Sequence, residues 1–318
     1  MAYYDVFNGD ADGICALHQL RLAQPAASTL ITGVKRDITL LDRVVAKAGD
    51  EVTVLDIALD KNRAALDALL DRGVRVGYFD HHYPGAIPEH ANFAAHIDRA
   101  PDVCTSLLVD RFLQGKHRPW AVVGAFGDNL REAAVRAAAP LRLSPERLDT
   151  LRELGECLNY NAYGETVADL HYPPDELYRL VQPHADPFAF IAGEDVFRCL
   201  REGYAGDIEQ ARALRPEIAT DICAVYVLPD APWSRRVSGS FGNDLAQAWP
   251  QRAHAILTRR PDGYTVSVRA SLAAPAGADE LCLRFGGGGR KIAAGINLLP
   301  TDRLEEFVTQ FRAVFTRG

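Results

Sequence analysis

The chain has 318 residues, 48% of them apolar and 24% charged, with a net charge of −7. That composition is ordinary for a soluble globular protein, and the acidic balance argues against a long nucleic-acid groove, which carries a basic surplus. The length favours more than one domain, and no apolar run approaches the ~20 residues that span a bilayer, so no membrane partner is expected.

The start, Met1-Ala2-Tyr3-Tyr4-Asp5, lacks the basic and apolar regions of a signal peptide, which makes the cytoplasm the expected location. Short apolar runs predict strands over 3–7, 29–32, 51–55 and 74–79, with helical spacing over 13–23, 39–48 and 60–72 between them. This alternation predicts an α/β fold whose parallel sheet carries helices on both faces. In such folds the loops after the strands line the ligand crevice.

Acids and histidines follow several of the apolar runs. After the first comes Asp10-Ala11-Asp12-Gly13, where Gly9 and Gly13 permit a tight turn. The two carboxylates are placed to reach different cations, or else Asp12 caps the helix that starts at Gly13. Asp56 directly follows the run 52–55, in position to bridge two metals, and Asp60 reads as the cap of the next helix. The run 74–79 delivers Asp80-His81-His82. Here His81 is a candidate ligand, Asp80 would orient that imidazole, and His82 would meet a substrate phosphate. A further apolar run, 121–126, leads to Asp128, which reads as a final ligand or a plain turn residue. Arg99 is a candidate phosphate contact. Thr105 and Ser106 read as helix caps, and His18 as a satisfied, partly buried histidine.

From about 130 to 192 the pattern is helical, with Ser144-Pro145-Glu146 as a helix start. A second α/β pattern follows, with strands over 222–228, 253–257 and 264–270, a helix over 238–249, and a last helix that Thr301 would cap. Six scattered cysteines with no CxxC pair read as reduced thiols rather than a disulfide framework or zinc site. Phe285-Gly286-Gly287-Gly288-Gly289-Arg290-Lys291 is the other strong signal. Its glycines leave backbone N–H groups open to an anion, and Arg290 and Lys291 add charge; the alternative is an interdomain hinge. Arg269 and Ser271 would touch the same phosphate, or serve as a surface charge and a turn residue.

These clusters, in this order, resemble the DHH/DHHA1 phosphoesterase family, which includes RecJ-type exonucleases, nanoRNases and dinucleotide phosphodiesterases. Asp10 and Asp12 resemble its first motif, Asp56 the second, Asp80-His81-His82 the third and Asp128 the fourth. The glycine run 286–295 resembles that of the C-terminal DHHA1 domain. The resemblance implies a DHH domain over 1–130, a helical connector over 131–195 and a smaller α/β DHHA1 domain over 196–318. It also implies two Mn²⁺ ions, with Mg²⁺ as the alternative: one held by Asp12, Asp56, His81 and Asp128, the other by Asp10 and Asp56. Asp80, His82 and Arg290 would take catalytic roles, and Arg99, Arg269, Ser271, Gly287, Gly288, Gly289 and Arg290 would bind substrate. Val6 stands where the family has a histidine, which weakens the second ion's position and leaves Asn8 as its only helper. Arg290 stands where the glycine motif ends in histidine, keeping a phosphate contact but not a neutral proton donor.

The expected function is hydrolysis of short linear oligonucleotides by a metal-activated water. Dinucleotides of the pGpG or pApA type fit best, because long DNA needs many phosphate contacts. A non-catalytic nucleotide sensor, a RecJ-like single-strand exonuclease and a polyphosphatase or pyrophosphatase are the alternatives. A homodimer is compatible with this reading.

Overall fold

The computed structural model describes residues 1–316. The chain divides into two compact units, Met1–Glu202 and Gly203–Gly318. The first contains β1 (Tyr3–Phe7), α1 (Ala11–Ala23), β2 (Ser28–Ile31), β3 (Glu51–Leu55), α2 (Leu59–Asp71), β4 (Arg75–Asp80) and β5 (Phe93–Ile97). Then come α3 (Thr105–Phe112), α4 (Arg118–Gly127), α5 (Arg131–Ala138), α6 (Pro145–Asn161), α7 (Pro174–Val181), α8 (Pro187–Gly193) and the start of α9 (Val196–Arg212).

All five strands run parallel in the order β2-β1-β3-β4-β5. Successive side chains of a strand point to opposite faces, and both faces are apolar here. Phe7, Leu55 and Phe79 enter a core with α1, α3 and α4. Their neighbours Val6, Val54 and Tyr78 enter a second core with α2. The chain leaves β1 toward β2 on one side and returns to β3 on the other. The loops after β1 and β3 therefore diverge and open a crevice at the carboxyl edge of the sheet, where ligands of such folds bind.

The second unit contains β6 (Ile218–Ala219), β7 (Cys223–Leu228), α10 (Pro232–Ala248), β8 (Ala253–Arg260), β9 (Gly263–Arg269), α11 (Ala278–Leu283), β10 (Gly288–Arg290), β11 (Ala293–Leu299) and α12 (Leu304–Phe315). Its sheet runs β10-β11-β9-β8-β7-β6, with only β7 and β8 parallel. Phe307 and Phe311 of α12 join Val225, Leu257, Val266 and Phe285 in its core. On the opposite face Phe241 of α10 meets Tyr226, ring centroids 5.2 Å apart.

Four departures from the sequence reading have local causes. The span 39–48 forms only a 3₁₀ turn, Leu40–Arg43. Buried Asn62 takes its backbone, accepting from Leu41 N at 3.3 Å and donating to Ile38 O at 2.6 Å, and Val44 turns extended. The strand β5 was not anticipated, because Phe93-Ala94-Ala95-His96-Ile97 is a half-exposed edge without a strong apolar run. The run 121–126 is the interior of helix α4, not a strand, so Asp128 stands at a helix C-cap. Thr301 does not cap the last helix; it opens a 3₁₀ turn that leads into α12. Ser144 does cap α6 as expected, accepting from Arg147 N at 3.3 Å.

Candidate metal centre

The crevice between β1 and β3 gathers the acids. Asp10 is the N-cap of α1, its Oδ1 accepting from Gly13 N at 3.0 Å. Gly13 is required there, since a Cβ would lie 2.2 Å from Asn8 O. Asp12 does not cap its own helix. Its two oxygens accept from the backbone N–H groups of Thr105 and Ser106, both at 2.7 Å, at the start of α3. Thr105 and Ser106 are therefore not caps themselves but the capped end of a helix whose orphan donors a distant carboxylate satisfies. Asp56 follows β3 in the left-handed region (φ 59°), a conformation Asp tolerates better than most residues and one concentrated at functional sites. Its N–H binds Phe79 O at 3.0 Å, and its Oδ1 accepts from Thr105 Oγ1 at 3.2 Å.

The histidines divide the work differently from the sequence reading. Asp80, fully buried at the end of β4, orients His82 rather than His81, with Oδ1 2.7 Å from His82 Nδ1. His81 Nε2 instead lies 3.4 Å from Asp56 Oδ1 and 3.9 Å from Asp128 Oδ2. One ligand atom from each of Asp12, His81 and Asp128 falls within 4.8 Å of the others, and the same holds for Asp56, His81 and His82. Asp10 belongs to neither set.

Electrostatics single out the same residues. Burial and the charges of Asp10 and Asp12 push Asp56 well above the usual carboxylate range. Burial and Asp12 raise Asp128 to about 6. Burial opposes charge on His81, but Asp56, Asp12 and Asp128 outweigh it and lift the imidazole to about 10. Buried carboxylates this crowded are under-neutralised, and a divalent cation is what such an oxygen and imidazole donor set accommodates. The residues present thus fit Mn²⁺ or Mg²⁺.

Sequence reasoning missed Lys35. Its Nζ reaches Asp10 Oδ2 at 2.5 Å and Asn159 Oδ1 at 3.0 Å, with Asp128 Oδ1 at 3.8 Å. Burial opposes the lysine charge, yet Asp10 overrides it and raises the ammonium well above its ordinary range. The same contact, against the effect of burial, holds Asp10 below its ordinary range. Lys35 belongs to no motif; the one hint is that it follows β2, the neighbour of β1. Asn8, expected to help hold an ion, is spent on the turn. Its Oδ1 accepts from Asp10 N and its Nδ2 donates to Lys35 O, both at 3.3 Å.

Arg99 is exposed just beyond β5, its guanidinium 4.9 Å from the centre of the Tyr83 ring. The remaining candidates belong to the second unit. Arg269 donates to Asn243 Oδ1 at 2.7 Å, to Ser267 Oγ at 2.9 Å and to the carbonyls of Val268 and Gly239, so protein groups already engage the guanidinium. Ser271 Oγ donates to Pro250 O at 3.0 Å and accepts from Ala273 N, the turn alternative. In the glycine run, Gly286 N and Gly287 N bind Leu283 O and Cys282 O, closing the end of α11. Gly288, Gly289 and Arg290 form the edge strand β10, exposed along its length. A Cβ on Gly287 would lie 2.2 Å from Gly295 O, so close strand packing accounts for this glycine.

No protein-family model and no curated protein matches the chain. Solved structures do. Exonuclease RecJ bound to manganese is similar over 100% of this chain and 90% of its own, at TM-score 0.67 and 19% identity. A DHH domain from a member of the s1p family of ribosomal proteins is similar over 98% of this chain and 86% of its own, at TM-score 0.64 and 13% identity. The pGpG-specific phosphodiesterase PggH from Vibrio cholerae is similar over 99% of this chain and 98% of its own, at TM-score 0.54 and 14% identity. The chain has the α/β fold of the DHH-domain proteins.

Proposed function

We propose that the chain is a DHH/DHHA1-type, metal-dependent phosphodiesterase that cleaves short linear oligonucleotides, with 5′-phosphorylated dinucleotides as the favoured substrate. The observation that carries this reading is the convergence of Asp12, Asp56, His81, His82 and Asp128 at the carboxyl edge of the first sheet. The similarity to RecJ bound to manganese and to a pGpG-specific phosphodiesterase supports the reaction class. Asp12, Asp56, His81 and Asp128 would hold the ion. A divalent ion in such a site supplies Lewis-acid stabilisation of phosphoryl oxygens and lowers the pKa of water.

The chain's own residues do the rest. Thr105 and the start of α3 fix the carboxylates of Asp12 and Asp56. Asp80 holds His82 by Nδ1, which leaves Nε2 of this half-exposed ring to meet a phosphoryl oxygen. In the first unit, Arg99 is an exposed cation for a substrate phosphate.

The test is product analysis of the purified chain with 5′-phosphorylated dinucleotides and Mn²⁺. Mononucleotides should appear, and folded Asp128→Ala should lose at least the ~100-fold that even outer partners of metal ligands can cost. Full rate in Asp128→Ala would overturn the ligand assignment, and faster turnover of pyrophosphate or of a long single strand would overturn the substrate. The Lys35–Asp10 contact, which engages one motif acid, favours a second reading as a nucleotide sensor. Dinucleotide binding without release at any Mn²⁺ level would establish it.

A further inference from the structure

Lys35 is a built position rather than a passing surface lysine. Its N–H donates to Ala162 O at 2.9 Å, and its carbonyl accepts from Asn8 Nδ2. Its ammonium lies 5.7 Å from the centre of the Tyr163 ring. Loops after β1, β2 and α6 thus converge to hold one cation against Asp10. Both oxygens of Asp10 are already engaged. One oxygen caps α1 and the other binds Nζ, and Asp10 lies outside both sets of mutually close ligand atoms. Val6, at the position of the family histidine, brings no donor, and Asn8 is occupied in the turn. What remains clustered, namely Asp12, Asp56, His81, His82 and Asp128, shares His81 between both sets.

We infer that the centre takes a single divalent ion, and that the Lys35 ammonium fills the place of the other cation. The inference rests on the metal-centre reading above. An ammonium has three donors. Two go to Asp10 and Asn159, which leaves the third for a phosphoryl oxygen. A point charge held by Asp10 and Asn159 offers that oxygen neutralisation without any need to capture a second ion.

Mn²⁺ titration of the full chain, followed by electron paramagnetic resonance and elemental analysis, tests this without reference to turnover. The expected result is one Mn²⁺ per chain, with the hyperfine pattern of an isolated ion even at high Mn²⁺. Lys35→Arg should keep that stoichiometry. Lys35→Ala, which frees Asp10, should take up a second Mn²⁺ and show an exchange-coupled spectrum. Two ions in the wild-type chain, exchange-coupled, would overturn this inference and leave the metal-centre reading intact. So would a Lys35→Ala variant that still binds only one. A wild-type chain that binds no Mn²⁺ would overturn both.

Discussion

At the scale of single residues, His18 shows how burial sets a charge state. It lies inside the first core, fully buried, with Nε2 2.8 Å from His184 O and the Trp120 ring edge-on at 4.8 Å. Its Nδ1 has no protein partner among the described residues, and it is fully rather than partly buried. Burial lowers its pKa to about 4. Between pH 6.5 and about 4 the unfolded chain therefore takes up a proton that the folded chain refuses. Stability contributed by the neutral ring is intact above pH 6.5 and is lost as pH falls through this window, on the order of 3 kcal/mol in full. Melting curves from pH 7 to 4.5 should show a shallower decline for His18→Gln than for wild type; parallel declines would contradict the assignment. Asp10, Asp12, Asp56 and Asp80 could be singled out as candidates because they stand at or just beyond the ends of apolar strands. Asp80's real partner and the hold of Asp12 on α3 were not, because both depend on where side chains point across loops. Lys35 was invisible for a similar reason: its partners Asp10 and Asn159 lie 25 and 124 residues away.

At the scale of elements, β1 to β4 of the first sheet were readable from their apolar runs, which burial within a parallel sheet demands, whereas the half-exposed edge strand β5 was not. The crossing of α4 with α6 was not. A Cβ on Gly155 would lie 2.3 Å from Val123 O, and one on Gly127 would lie 2.3 Å from the Ala11 Cβ. These glycines let α1, α4 and α6 approach at backbone distance, and α4 ends in Asp128. Gly155→Ala should therefore destabilise the first unit by about 1–3 kcal/mol, as overpacking does. Because the same crossing sets Asp128, the variant should also bind Mn²⁺ more weakly. Chemical denaturation and Mn²⁺ titration check the two effects; a neutral variant would mean that the helices can part freely. The glycine run of the second unit carried the opposite lesson. It reads as an anion loop, yet half of its early N–H groups close a helix and the rest line an edge strand.

At the scale of the whole chain, the two units have separate cores and, among the described residues, the candidate ion ligands lie in the first. Calorimetry should reflect that asymmetry. Mn²⁺ at a hundredfold excess over its Kd should stabilise the first unit by about 2.7 kcal/mol and leave the second unit's transition where it was. EDTA should reverse the shift. An equal shift of both transitions would place an ion in each unit. No helix among the described residues is long and apolar enough to cross a membrane.

The bond from Asp12 to Thr105 joins residues 93 apart, and the same cluster draws on Asp128 and Asn159. During synthesis, then, the acids of the first strands leave the ribosome long before the groups that fix them. Cellular cations meet loose, hydrated carboxylates first, and a closed cage only once α3 and α4 have docked. Of the two candidate ligand sets, Asp12, His81 and Asp128 is complete only once α4 has been made. Under the proposed function, loading of that set with metal would report that the first unit has been completed.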